Sequence, residues 1–315
     1  MKVLITGGSG FIGSHCVDAF AAAGHDVIVF DRIPPIHTSV GDHVVGELRD
    51  RVAVEKAVTC SDLVVHAGGL LGTHETVLMA DDAVRTNILG TLNVLEATTR
   101  HCRKLVNISK PNVWLNPYSI TKDCSEKFCL MHVDEFDAQV ATVKIYNVYG
   151  PRQKYSRVRK AIPTWIVEAL NGRPIEIFGS GAATVDLIHA RDVARGIWAI
   201  VENFEACRLK RTLEIAKDVY SCFPRHNEQI LELGSGKSIT VKESVEALAT
   251  ALDIPVEVRH LAMRRGEVDG TQLCADMTRL ATLTGFRPNI DLMEGLRETV
   301  GYYQTKLSEV AEGVL

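Results

Sequence analysis

The sequence predicts an α/β fold in which a doubly wound parallel sheet, with helices on both faces, is followed by a smaller C-terminal α/β lobe. Short runs that are apolar at every position alternate with longer segments of helical spacing, which is typical of parallel strands covered on both faces. Beyond residue 150 the runs shorten and prolines and glycines interrupt them. This change indicates a second, smaller lobe.

The elements follow from the amino terminus. Residues 2–6 form an apolar run that ends in glycines, and residues 11–23 have the apolar spacing of a helix that stops at Gly24. Four further apolar runs predict strands, and helical patterns separate most of them. These runs are residues 27–30, 63–66, 105–108 and 140–145.

Composition excludes several classes of protein. The 315 residues include 35 Lys and Arg against 39 Asp and Glu, a formal net charge of −4, so nothing indicates nucleic-acid binding. No apolar stretch approaches the roughly 18 to 20 residues that cross a bilayer. The 8 cysteines show no metal-binding spacing, which predicts reduced thiols, no metal site and a cytoplasmic protein.

A glycine-rich segment, residues 6–13, joins the first strand to the first helix. Gly7, Gly10 and Gly13 permit a tight turn, close approach of the backbone to a pyrophosphate and close packing of helix on sheet. The second strand ends at Asp31, whose carboxylate would accept hydrogen bonds from an adenosine ribose and repel a 2′-phosphate. This favours NAD over NADP, although the neighbouring Arg32 could receive that phosphate instead.

A tyrosine and a lysine form the second constellation. Tyr118 and Lys122 are four residues apart, so on a helix they share one face. An ammonium beside a phenol favours the phenolate and lowers the phenol's pKa from about 10 toward that of a general base. A surface pair is the alternative, and the dinucleotide turn upstream argues against it.

In these residues and in seven further segments, the chain resembles the extended short-chain dehydrogenase/reductases. The most similar group is that of the NAD-dependent nucleotide-sugar epimerases and dehydratases, including UDP-glucose and UDP-glucuronate 4-epimerases. The resemblance covers nearly the whole chain and implies a Rossmann-type fold with bound NAD. The further segments are residues 46–48, 66–69, 85–91, 146–152, 179–181, 189–194 and 264–267.

The resemblance also implies roles for residues. Tyr118 would take a proton from a sugar hydroxyl while hydride passes to the nicotinamide, and Lys122 would hold the nicotinamide ribose. Asn147 and Arg264 would bind the substrate's diphosphate, a task that suits a guanidinium. The implied cofactor-binding set is Gly7, Gly10, Phe11, Ile12, Gly13, Asp31, Arg32, Glu47, Leu48, His66, Ala67, Gly68, Asn87, Tyr118, Lys122 and Tyr146. For the side chain of His66, at a strand end, a structural role is the stronger interpretation.

The chain departs from the family at Lys110, where relatives have a small hydroxyl residue that hydrogen-bonds the reacting sugar oxygen. Either the ammonium replaces that hydroxyl as donor, next to Ser109, or Lys110 turns to solvent and Ser109 or Thr121 makes the contact. The residues that eliminate water in 4,6-dehydratases are replaced by Pro111 and Asn112. This replacement argues against a 4,6-dehydratase.

The substrate side shows a second departure. Val185 stands where many relatives have an arginine, so a phosphate contact is missing unless Arg152, Arg157 or Arg191 replaces it. Trp114 would line the sugar pocket or pack under its loop. The predicted substrate-binding residues are Asn147, Arg152, Arg264, Trp114 and Val185.

Two parts are expected. Residues 1–150 and about 184–234 would form the NAD-binding domain, and residues 151–183 and about 235–315 the nucleotide-sugar-binding lobe. The charged segment 207–227 would be an insertion. The resemblance suggests a homodimer through residues 83–100 and 118–136.

These observations predict an NAD-dependent nucleotide-sugar 4-epimerase that works through a transient 4-keto sugar and recycles bound NAD. The expected partner is a nucleotide diphosphate sugar, of which the sequence specifies neither the nucleotide nor the sugar. The alternatives are a dehydrogenase or reductase that releases its product, a uronic acid decarboxylase, and a non-catalytic NAD-binding sensor.

Overall fold

The computed structural model describes residues 1–38, 40–111, 113–155, 160–211 and 228–308. Its strands are β1 (Lys2–Thr6), β2 (Asp26–Asp31), β3 (Asp42–Val45), β4 (Leu63–His66), β5 (Lys104–Ser109), β6 (Val140–Ile145), β7 (Asn147–Tyr149), β8 (Ile175–Phe178), β9 (Thr184–Val185), β10 (Leu187–His189), β11 (Leu231–Leu233), β12 (Ile239–Thr240) and β13 (Val258–Leu261). Its helices are α1 (Phe11–Ala22), α2 (Arg51–Thr59), α3 (Ala80–Ala83), α4 (Gly90–Arg100), α5 (Pro117–Phe136), α6 (Ala161–Leu170), α7 (Ala190–Glu202), α8 (Phe204–Cys207), α9 (Val241–Leu252), α10 (Thr278–Thr284) and α11 (Leu292–Thr305). A 3₁₀ turn covers Glu75–Leu78, and a π-helical turn, Val84–Leu89, lies between α3 and α4.

Seven strands form one parallel sheet in the order β11-β6-β5-β4-β1-β2-β3. The strand order reverses beside β1, between β4 and β2, which is where doubly wound sheets open a crevice at the carboxyl ends of their strands. The predicted doubly wound fold is therefore confirmed. The sequence predictions missed β3 and β11, the strands at the two edges of this sheet.

Alternate residues of the strands face two separate cores. Val3 and Ile5 of β1 pack with apolar residues of α1 and α7, whereas Leu4 packs with residues of α2, α4 and α5. Burial on both sides explains why the central strands are apolar at successive positions. The carboxyl edge of the sheet is thereby held rigidly between the two layers.

A third apolar cluster lies mostly beyond residue 150. It joins α6, β8, α9 and α11, and β13 pairs with β8 in parallel. The chain returns to the large sheet through β11, where Leu231 lies opposite Val143. This separate core agrees with a second lobe, and the exact division of the chain stays a prediction. Most of the predicted insertion, residues 212–227, lies outside the described residues.

In the described part of the chain, no helix combines the length and the apolar character that a bilayer crossing requires. The same residues contain no group of three or more His, Cys, Asp and Glu side chains that could hold a metal ion.

Candidate active site

The turn after β1 has the close backbone contacts that require glycine. Gly7 has a φ of +70°, and a Cβ added there would lie 2.6 Å from the Cα of Gly68. A Cβ on Gly13 would lie 2.8 Å from the carbonyl carbon of Gly7. The turn, the first helix and the loop after β4 are therefore in direct backbone contact.

Helix α1 begins at this turn. Its N-cap, Gly10, provides no side-chain hydrogen bond, so the first-turn N–H groups at Phe11 and Ile12 have no capping side chain. First-turn N–H groups lack intrahelical partners, and the helix dipole makes this end positive. Both properties fit the pyrophosphate of a dinucleotide.

The carboxylate of Asp31 lies at the end of β2, beside this turn. It accepts hydrogen bonds from the backbone N–H groups of Ser9 (3.1 Å) and Ile33 (3.3 Å), which fix its orientation. Arg32 is exposed. A carboxylate fixed at this point suits the hydroxyls of an adenosine ribose.

Glu47 and Leu48, two residues of the predicted cofactor-binding set, follow β3. The side chain of Leu48 packs against Gly68 and Gly90, so that a Cβ on either glycine would lie 2.9 Å from it. Glu47 is exposed beside it. Leu48 thus forms an apolar wall next to the glycine turn.

His66 ends β4 beneath the turn, and its ring is fully buried. Nδ1 lies 2.7 Å from the hydroxyl of Thr6, and Nε2 lies 3.0 Å from that of Thr91. Burial lowers the pKa of His66 to about 3, so the ring is neutral. Both ring nitrogens are engaged inside the protein, as expected of a structural histidine, and the following Ala67 and Gly68 bring only backbone to the turn.

Asn87 lies in the π-helical turn, and its amide is fully engaged. Oδ1 accepts from the N–H of Leu70 at 2.7 Å, and Nδ2 donates to the Leu70 carbonyl at 2.8 Å and to Thr121 Oγ1 at 3.0 Å. Asn87 therefore positions the loop after β4 and joins it to α5. Its contact with the cofactor stays a prediction.

Tyr118 and Lys122 occupy the first two turns of α5. Asn116 caps the helix by accepting from the N–H of Ser119, and Pro117 fits the first turn because it lacks an N–H. Lys122 is buried, and its Nζ donates to the carbonyl of Ile108, at the end of β5, at 2.6 Å. The predicted pair thus lies at the carboxyl edge of the sheet.

The environment of Tyr118 differs from the expectation in one respect. Burial raises the pKa of Tyr118 to about 12, and burial lowers that of Lys122 to about 8. The lysine alone does not lower the phenol's pKa because desolvation disfavours both charged forms. None of the described residues forms a hydrogen bond with the phenol oxygen, so this oxygen is free to meet a substrate.

Lys110 is directed into this group and not toward solvent. Its Nζ donates to the carbonyl of Pro111 (2.6 Å) and to Ser119 Oγ (2.8 Å), and it lies 5.2 Å from the ring centroid of Tyr118. Burial lowers the pKa of Lys110 to about 8, which the charge of Glu126 opposes. This geometry favours the interpretation in which the ammonium replaces the family's hydroxyl.

The two hydroxyls of the alternative interpretation are engaged elsewhere. Ser109 donates a short hydrogen bond to Glu126. Thr121 donates to the carbonyl of Tyr118 at 3.1 Å and accepts from Asn87. Neither arrangement leaves a hydroxyl proton for a sugar.

Glu126 is a residue of this group that the sequence reasoning missed. It is buried on α5, one turn after Lys122, and Lys144 of β6 lies 3.3 Å from its second carboxylate oxygen. Burial raises the pKa of Glu126, whereas Lys144 and Ser109 oppose that shift. The spacing of four residues from Lys122 was the available signal, since it places the carboxylate on the same helix face.

The predicted substrate residues fall into two groups. Arg264 binds Glu267 through two hydrogen bonds (3.1 and 2.6 Å), and its guanidinium lies 4.6 Å from the ring centroid of Phe178. The indole N–H of Trp114 donates to Thr271 at 3.0 Å, which links the loop before α5 to the second lobe. The loop of Arg264 contacts the same segment before α5, because Nδ2 of Asn116 donates to the carbonyl of Gly266 at 3.4 Å. Trp114 and this loop thus lie where the segment before α5 meets the second lobe.

The remaining predictions lie further along the chain. Asn147 is exposed at the start of β7, and Val185 belongs to β9, which pairs with β12. Arg152 forms an ion pair with Asp18 of α1 at 2.7 Å, so it is engaged on the first helix. The substrate contacts of these three residues stay predictions. Arg157 and Asn112 lie outside the described residues.

Tyr146, at the end of β6, was predicted to contact the cofactor. Its hydroxyl donates to a carboxylate oxygen of Glu232 on β11 at 2.7 Å. Burial raises its pKa, and the hydrogen bond with Glu232 acts in the same direction. The residue therefore joins two strands of the sheet, and a contact with the cofactor stays a prediction.

Comparisons with known proteins agree with this geometry. Residues 3–216 match the family model described as the NAD dependent epimerase/dehydratase family. A UDP-N-acetyl-alpha-D-glucosaminuronate decarboxylase from Bacillus cytotoxicus is 23% identical over 335 residues, which cover 96% of this chain and 98% of that protein. A dTDP-glucose 4,6-dehydratase from Actinoplanes is 25% identical over 343 residues, which cover 98% of this chain and 99% of that protein.

A solved structure shows the same fold. The UDP-glucose 4-epimerase of Thermotoga maritima superposes with a TM-score of 0.85 at 23% identity, and the match covers 98% of this chain and 100% of that chain. The relatives catalyse different reactions, so their names support a family and not one outcome. Because the family model matches more than half of the chain, the protein belongs to the NAD dependent epimerase/dehydratase family and its cofactor is NAD.

Proposed function

We propose that the protein is a nucleotide-sugar 4-epimerase that recycles its bound NAD. One observation carries the proposal: Tyr118 is partly buried, none of the described residues forms a hydrogen bond with its oxygen, and the Lys110 ammonium lies 5.2 Å from its ring centroid, at the sheet edge that also holds Lys122 and the glycine turn. A protein that only binds NAD gains nothing from a desolvated phenol beside an ammonium group. This arrangement favours an enzyme over a sensor.

The residues support a reversible oxidation of a sugar alcohol. Tyr118, as the phenolate, would take the hydroxyl proton and become a neutral phenol, and Lys110 and Lys122 would stabilise the phenolate before the transfer and the developing alkoxide during it. The glycine turn and Asp31 would hold NAD, which would supply the acceptor for the hydride that leaves the same carbon. Rotation of the ketone and return of hydride to its other face, with the proton coming back from Tyr118, would give the epimer.

The substrate would be a nucleotide diphosphate sugar. Arg264, whose loop contacts the segment before α5, would bind the diphosphate, for which its planar donor fork is suited. The position of Pro111 supports a reaction without loss of water, because a proline cannot supply the acid or base of an elimination.

The test is to incubate the purified protein with UDP-, GDP- and dTDP-sugars and to follow epimer formation together with absorbance of NADH. We expect epimers without net accumulation of NADH. Stoichiometric NADH would identify a dehydrogenase, and release of CO2 a decarboxylase. Tyr118→Phe should bind NAD normally and lose at least about 100-fold in turnover. Unchanged turnover in that variant would exclude the proposed role of the phenol.

We also propose a homodimer through α4 and α5. Ile120, Met131 and Phe136 of α5 are exposed by 53%, 37% and 58%, and Leu89 before α4 by 48%. Exposed apolar side chains on α5 and on the π-helical turn before α4 support a protein interface. A second copy would cover them by a two-fold arrangement of the same helices.

A further inference from the structure

Lys110 is a cation that forms no direct ion pair with a described residue. Its two hydrogen-bond acceptors, the carbonyl of Pro111 and the hydroxyl of Ser119, are both neutral. In the described parts of the chain, no carboxylate lies within 4.0 Å of its Nζ. The charge of Glu126 acts favourably on Lys110, but this carboxylate is shared, because Ser109 donates to it and Lys144 lies 3.3 Å from its second oxygen.

Further positive charges surround it. The charges of Lys122, Lys160 and Lys144 all act unfavourably on the ammonium of Lys110. Lys160 is half-buried at the N-cap of α6, where the charges of Glu75 and Glu267 favour its ammonium and that of Arg264 disfavours it. The four lysines and Arg264 outnumber the carboxylates of Glu75, Glu126 and Glu267, so the region between Tyr118 and the arginine proposed to bind the diphosphate carries an excess of positive charge.

This excess of charge indicates what kind of group completes the site. A desolvated ammonium that donates only to neutral oxygens keeps its full charge, and nearby lysines increase the cost. A neutral sugar oxygen would add no opposing charge, whereas a carboxylate would neutralise the ammonium through a charge-assisted hydrogen bond. An ammonium has three protons, and two of them are used by Pro111 and Ser119.

We propose that Lys110 binds a carboxylate of the sugar itself, attached to the ring carbon next to the one that bears the reacting hydroxyl, so that the substrate is a nucleotide-linked uronic acid. This inference rests on the proposed function and specifies its substrate class. The inference depends on the position of Lys110 Nζ over the ring of Tyr118. A carboxylate bound to this Nζ would lie beside the sugar hydroxyl that reacts with Tyr118. The diphosphate and the sugar acid would then be bound by separate cations, Arg264 and Lys110.

The experiment compares a matched pair of substrates, UDP-glucose and UDP-glucuronate, which differ only in the carboxylate. We expect the NAD-loaded protein to prefer UDP-glucuronate in kcat/KM by at least tenfold. Lys110→Met should reduce kcat/KM for UDP-glucuronate by at least about 30-fold, the usual effect of removing one partner of a buried charge pair. The same variant should also slow turnover of UDP-glucose, because the ammonium lies over the ring of Tyr118, but by a factor at least about tenfold smaller, so that the preference for UDP-glucuronate is lost.

Two further variants make the result specific. Lys110→Arg keeps the positive charge and should retain the preference for UDP-glucuronate. Lys104→Met is the matched control, because Lys104 lies at the opposite end of the same strand, β5, where it pairs with Glu205. This variant should leave kcat/KM unchanged for both substrates.

Two results would overturn the inference while the proposed function stands. The first is a wild-type preference for UDP-glucose, and the second is an equal loss on both sugars in Lys110→Met, which would assign the lysine to the reacting oxygen alone. If the wild-type protein converts neither of these sugars nor any of the other nucleotide sugars, the proposed function itself fails and the inference fails with it. The three results are distinguishable in one set of assays.

Discussion

Replacing Gly13 by alanine is the most direct test of the cofactor cradle. A Cβ at this position would lie 2.8 Å from both the carbonyl carbon of Gly7 and the Cα of Gly8, and closer still to the Gly7 oxygen. These neighbours are backbone atoms, so no side chain can rotate away. Ordinary contacts begin near 3.4 Å, so the turn and the first helix must separate by about 0.6 Å or more.

The cost of Gly13→Ala follows from the two contacts that this separation disturbs, the packing of helix on turn and the hydrogen bonds to the pyrophosphate. Inserting a methyl group into a close-packed contact costs about 1 to 3 kcal/mol, against which the better helix propensity of alanine returns up to about 1 kcal/mol. The first-turn N–H groups of α1 move with the helix. Loss of one charge-assisted hydrogen bond to the pyrophosphate costs about 1.5 to 3 kcal/mol, equivalent to an increase of about 10- to 150-fold in the Kd for NAD.

Titration calorimetry of NAD into both proteins measures this effect. Gly301→Ala is the matched control, because a Cβ at Gly301 meets nothing within 4 Å and its position on α11 makes alanine neutral or slightly stabilising. We expect it to bind NAD as the wild-type protein does. A Kd for Gly13→Ala within twofold of the wild-type value would refute the cradle as the pyrophosphate site.

Three further predictions concern stability, cofactor choice and assembly. The pKa of His66 is about 3 in the folded protein and about 6.5 when unfolded. The contribution of the neutral His66 ring to the free energy of unfolding is therefore fully present above about pH 6.5 and is lost as the pH falls toward 3. Between pH 7 and pH 5, the free energy of unfolding measured in urea should fall by about 2 kcal/mol less in His66→Gln than in the wild type. An equal fall in both proteins would contradict the assignment of a neutral His66. Asp31→Ala should weaken the binding of NAD about tenfold and bring the affinities for NAD and NADP closer together. An unchanged ratio of the two affinities would exclude the ribose contact. Ile120→Asp should be monomeric in light scattering while Val52→Asp, at a still more exposed apolar position on α2, stays dimeric, and a monomeric wild type would exclude the dimer.

The central strands could be predicted because burial on both faces leaves a continuous apolar signal. In β4, for example, Leu63, Val64 and Val65 follow one another and are all buried. β3 lacks that signal because every one of its residues is exposed at the sheet edge. β11 has only three residues, and its place beside β6 depends on a long-range pairing that no local pattern encodes.

In the candidate site, too, local patterns could be predicted from the sequence and long-range contacts could not. Glycine spacing and the separation of four residues between Tyr118 and Lys122 are local, so the sequence was sufficient to find them. The partners of Ser109 and Lys110 come from α5, and the burial that raises the pKa of Tyr118 depends on the whole surrounding structure. Contacts and desolvation of this kind follow only from the three-dimensional fold.

The charge on Lys110 also leads to a prediction about stability. Burial lowers its pKa to about 8, so at pH 7 the folded chain holds an ammonium in a place that disfavours it. Lys110→Met fills similar volume without the charge. It gives up hydrogen bonds to two neutral groups, the Pro111 carbonyl and the Ser119 hydroxyl, the contact with the Tyr118 ring and the attraction of Glu126. We therefore expect this variant to be more stable than the wild type, by about 1 to 2 kcal/mol, while it loses activity.

A structural lysine would behave in the opposite way, because its removal would destabilise the protein and reduce activity together. Thermal unfolding without substrate separates the two cases. The expected gain should shrink as the pH rises through about 8, since the wild-type ammonium then loses its proton and the cost of burying its charge disappears. A destabilised Lys110→Met protein would show that the ammonium holds the fold together, and the excess positive charge beside Tyr118 would then need no substrate acid to explain it.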